Sequence, residues 1–330
     1  MQRSLLLSLG ALSLISACSS GDGFSEDQGN NNGGGGGGGT TEITSANAAR
    51  VTRVSYQSSQ AAGAAGSYSS GTGFITSNSG PVGRIDGSLG TSSKPTSANS
   101  GVPIPPTVDS CLEGGTTTLS GDIADPLTPT LTPGDYFDLT FQDCADGLAV
   151  IDGSLFYEVD AFAGDLLTGV YDLTMTATFT DFQVATDEDT LLSNGDATVR
   201  LDTLDFPVIT TETSGDSLTI DGDLGSQTLS NFASSFTQDT DALPSPYTQS
   251  GSGTLNTTLL SGTVSYSTPV EFEGFDADNP NSGEFLVTGA NSTARLVVVD
   301  NVNINIELDS DGDGTVDETI EMTWAEFESL

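Results

Sequence analysis

Histidine is absent from this 330-residue sequence, and Lys plus Arg number 7 against 46 Asp plus Glu, a formal charge of -39 at pH 7. Without an imidazole there is no Ser-His-Asp or Cys-His nucleophile system and no His-ligated metal. Without a basic surface nothing neutralises phosphates, which excludes nucleic acid and makes anionic lipid headgroups poor partners. Tryptophan occurs once, at Trp324, so a cleft lined with sugar-stacking rings is not legible. Cysteine occurs three times, at Cys18, Cys111 and Cys144.

The first residues are organised for export. Arg3 gives a short basic start, Leu5 to Ile15 form an apolar stretch of about 11 residues, and small side chains run up to Cys18. That stretch is too short to span a hydrocarbon core of about 30 Å as a helix. Residues 1–17 therefore read as a removable signal peptide. The junction Leu14-Ile15-Ser16-Ala17-Cys18 resembles the lipobox of bacterial lipoproteins, with Ile15 where Ala or Ser is more usual. The resemblance covers about 20 residues. It implies cleavage before Cys18, acylation of its thiol and attachment to a membrane. Several acyl chains hold stably where one is marginal. Ser19 is not the Asp that retains such proteins in the inner membrane. The implied place is the outer membrane, facing periplasm or cell surface.

Residues 18–43 read as the lipid anchor and a Gly-rich tether. Gly33 to Gly39 are seven consecutive glycines with no preceding strand and no following Lys, so they are not a phosphate-binding loop. About 23 tether residues give a root-mean-square reach of roughly 25 to 30 Å. Residues 44–63 have an Asn/Ser start and an Ala-rich interior, with Ala48, Val51 and Val54 at helical spacing; one short helix is expected there. Residues 64–105, rich in Gly, Ser and Pro, read as linker, with a weak strand at Gly73 to Ile75.

Charge then divides the chain. Residues 1–105 carry five acidic and five basic residues, leaving 41 of the 46 acidic and two of the 7 basic ones, Arg200 and Arg295, for 106–330. Both Arg flank apolar strand residues and read as ion-paired. With Cys18 acylated, Cys111 and Cys144 are an even pair in an exported chain and read as a disulfide.

The body, 106–330, reads as all-β. In Tyr171 to Phe182, the odd residues from Tyr171 to Phe179 are apolar and the even ones from Asp172 to Thr180 polar. Val302, Ile304, Ile306 and Leu308 repeat the period. No segment after 106 reads as an amphipathic helix. An antiparallel curved sheet, open barrel or sandwich is expected, with the Ala-rich helix on its apolar face. At an offset of 95, Phe137 and Phe141 match Phe232 and Phe236, and Leu191 and Arg200 match Leu286 and Arg295, suggesting tandem β units at about 110–210 and 211–308.

The strongest chemical motif is DSDGDGTVD in a C-terminal hairpin, 301–328. Asp309, Asp311 and Asp313, a turn-permitting Gly314, the carbonyl of Thr315 and Asp317 match the first nine positions of an EF-hand-like calcium loop. The twelfth position is Ile320, so Glu318 or Glu321 would have to substitute for the missing carboxylate. Calcium is the expected cofactor, in a structural role. GDSL at Gly215 to Leu218 resembles an esterase block, but that chemistry needs a His and the run reads as a hairpin turn. Acidic pairs such as Glu271 and Glu273, or Asp187 to Asp189, fit a glycosidase only if a cleft holds them apart. The functional expectation is a lipid-anchored, non-catalytic binding or structural module with a cationic or calcium-bridged envelope partner. The alternatives are a carrier of an apolar ligand and, behind it, a carboxylate-based glycan hydrolase.

Overall fold

In the computed structural model, residues 39–70 and 101–330 are described, apart from 126, 129, 146–148, 187–189, 223–224 and 277; for 64–70 the backbone alone is described. The signal peptide, Cys18 and most of the tether lie outside the described residues, as do Gly73 to Ile75 and Asp187 to Asp189.

Helix α1 (Ala48–Ser70) comes first. Among the described residues fourteen strands follow. They are β1 (Val102–Ser110), β2 (Gly114–Ile123), β3 (Tyr136–Ala145), β4 (Val150–Asp165), β5 (Val170–Ala185), β6 (Thr190–Asp202) and β7 (Val208–Gly222), then β8 (Gly225–Asp239), β9 (Pro246–Thr257), β10 (Thr263–Phe275), β11 (Ser282–Thr288), β12 (Thr293–Val298), β13 (Asn303–Asp309) and β14 (Glu318–Thr323). Helix α2 (Trp324–Glu328) ends the order. The strands form one antiparallel sheet in strict chain order, open between β1 and β14. A single sheet excludes the two-sheet sandwich.

The alternation that predicts β5 places Tyr171, Leu173, Met175, Ala177 and Phe179 in the core. The phase then slips. Asp181 takes a positive φ of 45° opposite Gly153 at 90°, and the bulge returns Phe182 to the buried face three residues after Phe179. A Cβ on Gly153 would lie 2.0 Å from the Asp181 carbonyl oxygen, so only glycine lets the strands close here. Such slips explain why no regular period runs the full length of the long strands.

The sheet curls around α1, which packs on β6 to β9 along one flank and β11 to β13 along the other. Ala48, Val51 and Val54 are buried as their spacing predicts. The same helix also buries hydroxyls. Thr52, Ser55 and Ser58 are fully enclosed, and Ser58 Oγ hydrogen-bonds Gln227 Oε1. Small side chains permit this close approach: a Cβ on Gly251 would stand 2.3 Å from Ser59 Oγ. At its centre Tyr56 meets Phe272, Phe285 and Trp324 at ring-centroid separations of 5.5, 5.6 and 5.6 Å. Beyond the helix, Phe141, Phe179 and Phe182 fill the core between β3 and β5.

Several boundaries differ from the sequence reading. α1 continues past Gly63 to Ser70, because Ala61, Ala62, Ala64 and Ala65 favour helix around the glycine. The β body starts at Val102, not 106. Pro103 and Pro105, which read as linker, lie with Pro106 in β1, an edge strand that tolerates residues without an N–H. The GDSL run is no turn: Gly215 and Ser217 pair with Phe232 and Ser230 in the middle of β7. Val302 is in the β12–β13 turn rather than the buried row of Ile304, Ile306 and Leu308. Trp324 opens α2, a short helix in a body that read as all-β, and its capping box joins Thr323 to Glu326. Of the positions matched at an offset of 95, Leu191 and Arg200 share β6, whereas Leu286 is in β11 and Arg295 in β12, so a strand corresponds to a hairpin.

In an antiparallel sheet of sequential strands the turns alternate between two rims. The first rim carries the turns after β2, β4, β6, β8, β10 and β12. The second rim carries those after β1, β3, β5, β7, β9, β11 and β13.

Candidate metal loop

The β13–β14 turn, on the second rim, brings carboxylate oxygens of Asp309, Asp311 and Asp317 within 4.8 Å of one another, a group able to hold a metal ion. Asp309 ends β13 and is only 8% exposed. Its two oxygens accept from the amides of Gly312 (2.7 Å) and Gly314 (2.9 Å), which wraps the loop around the first carboxylate. Asp317, at the far end, accepts from the amide (2.8 Å) and hydroxyl (2.6 Å) of Ser310. The hydroxyl and then the amide of Ser310 hold the Asp317 carboxyl below its usual range. Asp311 accepts from the Asp313 amide at 3.2 Å.

One expected carboxylate does not join the group in this geometry. The Asp313 carboxylate turns aside to the amide and hydroxyl of Thr315. Glu318 and Glu321 also stay outside it. They lie on β14 opposite Leu308 and Asn305, where the pairing fixes them to the sheet. Ser310, absent from the expected set, braces Asp317 and is visible in the sequence only as the residue after the first Asp.

The loop rests on its neighbour. A Cβ on Gly312, whose φ is 75°, would meet the Asn291 carbonyl oxygen at 2.9 Å, so loop and β11–β12 turn are in backbone contact. That turn grips the start of the described chain. Ala290 N donates to Thr41 O (2.7 Å) and Ile43 N donates to Ser292 Oγ (2.9 Å). Thr41 N donates to Thr263 O (2.9 Å), and Thr263 N donates to Gly39 O (2.9 Å). Thr41 and Ile43 are buried, so residues 39–43, read as the end of the tether, belong to the folded body.

The other candidates lie apart from this loop. Cys111 and Cys144 are joined, with Cα atoms 5.4 Å apart, and tie the β1–β2 turn to β3. Arg200 pairs with Asp172 (2.9 Å), Asp202 (2.8 Å) and Glu212 (3.0 Å), and Arg295 with Glu284 (3.6 Å). Glu271 and Glu273 are exposed on the outer face of β10, on either side of buried Phe272. The concave face that an apolar carrier would use is occupied by α1 over β6 to β9 and β11 to β13.

Among the described residues no helix is long and apolar enough to cross a membrane. Comparison with protein-family models, with curated proteins and with solved structures finds no match for this chain.

Proposed function

We propose that the chain is an acyl-anchored, non-catalytic binding and structural module of a bacterial outer membrane, in which a calcium ion at Asp309, Asp311 and Asp317 fastens the body to the root of its tether. The observation that carries this reading is the stacking, on one rim, of the carboxylate loop on the 289–292 turn and of that turn on Thr41 and Ile43. The donors are hard oxygens without nitrogen or sulfur, which suits calcium over zinc or copper. An ion drawing the three carboxylates together offsets their mutual repulsion, stiffens the loop and supports the turn beneath it. Cys18 and its acyl chains supply the membrane attachment. The 41 carboxylates of the body provide the surface for a cationic or calcium-bridged envelope partner.

Calcium titrated into the purified chain in a calorimeter tests the metal. The expected dissociation constant is about 0.1 to 1 mM, as in extracellular calcium modules. Asp309→Asn and Asp317→Asn should each weaken binding at least about tenfold, since each removes a charged ligand. Identical heats for the parent and both variants would remove the loop from the account.

A further inference from the structure

The two rims differ in a way that the metal loop does not explain. On the first rim five of the six turns expose a large apolar side chain: Leu127, Leu167, Leu204 with Phe206, Leu243 and Val302, the β10–β11 turn being the exception. Leu243 is 93% exposed and Leu127 91%. On the second rim the turns after β3, β5 and β7 lie largely outside the described residues, and the other four expose Leu112 and Val316. Leucine at a hairpin tip is not itself informative, because single exposed apolar residues are ordinary. The repetition along one rim is informative, and each of its tips is held by the same kind of turn, which also occurs in the β13–β14 loop.

That device recurs in five turns. An Asp Oδ1 accepts the amide two residues ahead: Leu127 N to Asp125 (3.0 Å), Leu167 N to Asp165 (2.8 Å), Leu204 N to Asp202 (3.0 Å) and Val302 N to Asp300 (2.8 Å). In the β8–β9 turn the same bond runs from Asp241 N to Asp239 (3.1 Å), two residues before Leu243. Four of the turns thus fix the apolar residue itself with a carboxylate just behind it, and the fifth fixes the residue two before Leu243. Adjacent turns on a rim are two strand spacings apart, about 9.5 Å, so the apices form an interrupted row with polar gaps between them.

We infer that this first rim is a membrane-contact edge, whose leucine tips enter the interfacial layer of a bilayer of zwitterionic, amine-bearing phospholipid. A protein partner would need a separate pocket at every interval of the row, whereas a fluid bilayer accepts apolar tips at any spacing. The carboxylates choose the headgroup. In phosphatidylcholine or phosphatidylethanolamine the ammonium is the outermost group, level with the Asp behind the tips, of which Asp202 is already paired with Arg200, while a purely anionic headgroup repels a protein of charge -39. The tether permits the contact although its root is on the other rim. From Cys18 to Gly39 the contour is about 70 Å, longer than the roughly 53 Å of the 16-residue strands β4 and β5.

The full chain, reconstituted by its anchor into phosphatidylcholine vesicles with brominated acyl chains, tests this edge. Leu243→Trp and Leu112→Trp replace two equally exposed leucines, on the first and second rim, and disturb no packing. Trp324 is buried and gives both variants the same background. With chelator present, the inference predicts that bromolipid quenches the Leu243→Trp emission several-fold more than that of Leu112→Trp, and that phosphatidylglycerol vesicles quench it less. Equal quenching of the two variants, stronger quenching of Leu112→Trp, no quenching of Leu243→Trp, or equal quenching in both lipids would overturn it. Because calcium is chelated, none of these outcomes depends on the metal loop.

Discussion

Single carboxylates set the acid response of the C-terminal hairpin. Asp317 is held below its ordinary range by Ser310, Asp300 by the amide of Val302 and then the side chain of Asn303, and Glu326 by the amide and then the hydroxyl of Thr323. A carboxylate depressed by folding stabilises the folded state above its unfolded pKa, and that contribution is lost as pH falls through the lower folded value. Glu328 has the opposite sign: burial raises it, with Arg53 opposing, so protonation on acidification favours the folded state. Relief of the overall negative charge acts in the same direction as Glu328. The Asp317 contribution is therefore read best as a difference between two proteins. Thermal melts across about pH 5 to 3 should show that Ser310→Ala, which deletes one of two hydrogen bonds to Asp317, lowers the melting temperature at the upper end and has a smaller effect at the lower end. An offset that does not change with pH would remove Ser310 as the cause of the depression.

Elements follow from the sequence where periodicity is strong and fail where one residue shifts the phase. Tyr171 to Phe179 and Ile304 to Leu308 alternate cleanly and are strands with the expected buried face. The disulfide and the carboxylate loop were legible because few residues compete for those roles: two cysteines remain after Cys18, and the Asp spacing is tight. What was not legible depends on distant partners. Pro103, Pro105 and Pro106 are in a strand because β1 has a free edge, and the GDSL run is in a strand because β8 pairs along it. Helix α2 was marked locally by Thr323 and Glu326, but its five residues are too few to show a period. The buried hydroxyls of α1 have no signature in a sequence, since serine on a helix reads as solvent-facing.

Loop and turn act as one element through Gly312. Gly312→Ala and Gly314→Ala both place a side chain at positive φ, 75° and 86°, but the first also meets the Asn291 backbone while the second has open space. Gly314→Ala should cost about 1 kcal/mol and Gly312→Ala about 2 to 3 kcal/mol, because strain alone and strain with a clash differ by that order. Chemical denaturation of the two variants measures it; equal losses would mean that loop and turn are independent.

At the scale of the molecule, a sheet of fourteen strands is wound on one helix and tied at one rim by a disulfide, a carboxylate loop and the root of the tether. The disulfide closes a separation of 33 residues and contributes about 3 to 4 kcal/mol in the chain-entropy picture. The edges are guarded by different means, the prolines of β1 and the glutamates of β14. The charge of -39 repels itself throughout, so ionic strength raises stability without any specific site. A specific ion must therefore be separated from screening. The decisive measurement is the thermal transition of the chain in millimolar calcium and in chelator, at matched ionic strength, beside Asp309→Asn. The account predicts a higher transition with calcium in the parent and none of that gain in the variant. Coincident transitions in the parent, or a calcium gain that survives Asp309→Asn, would contradict it.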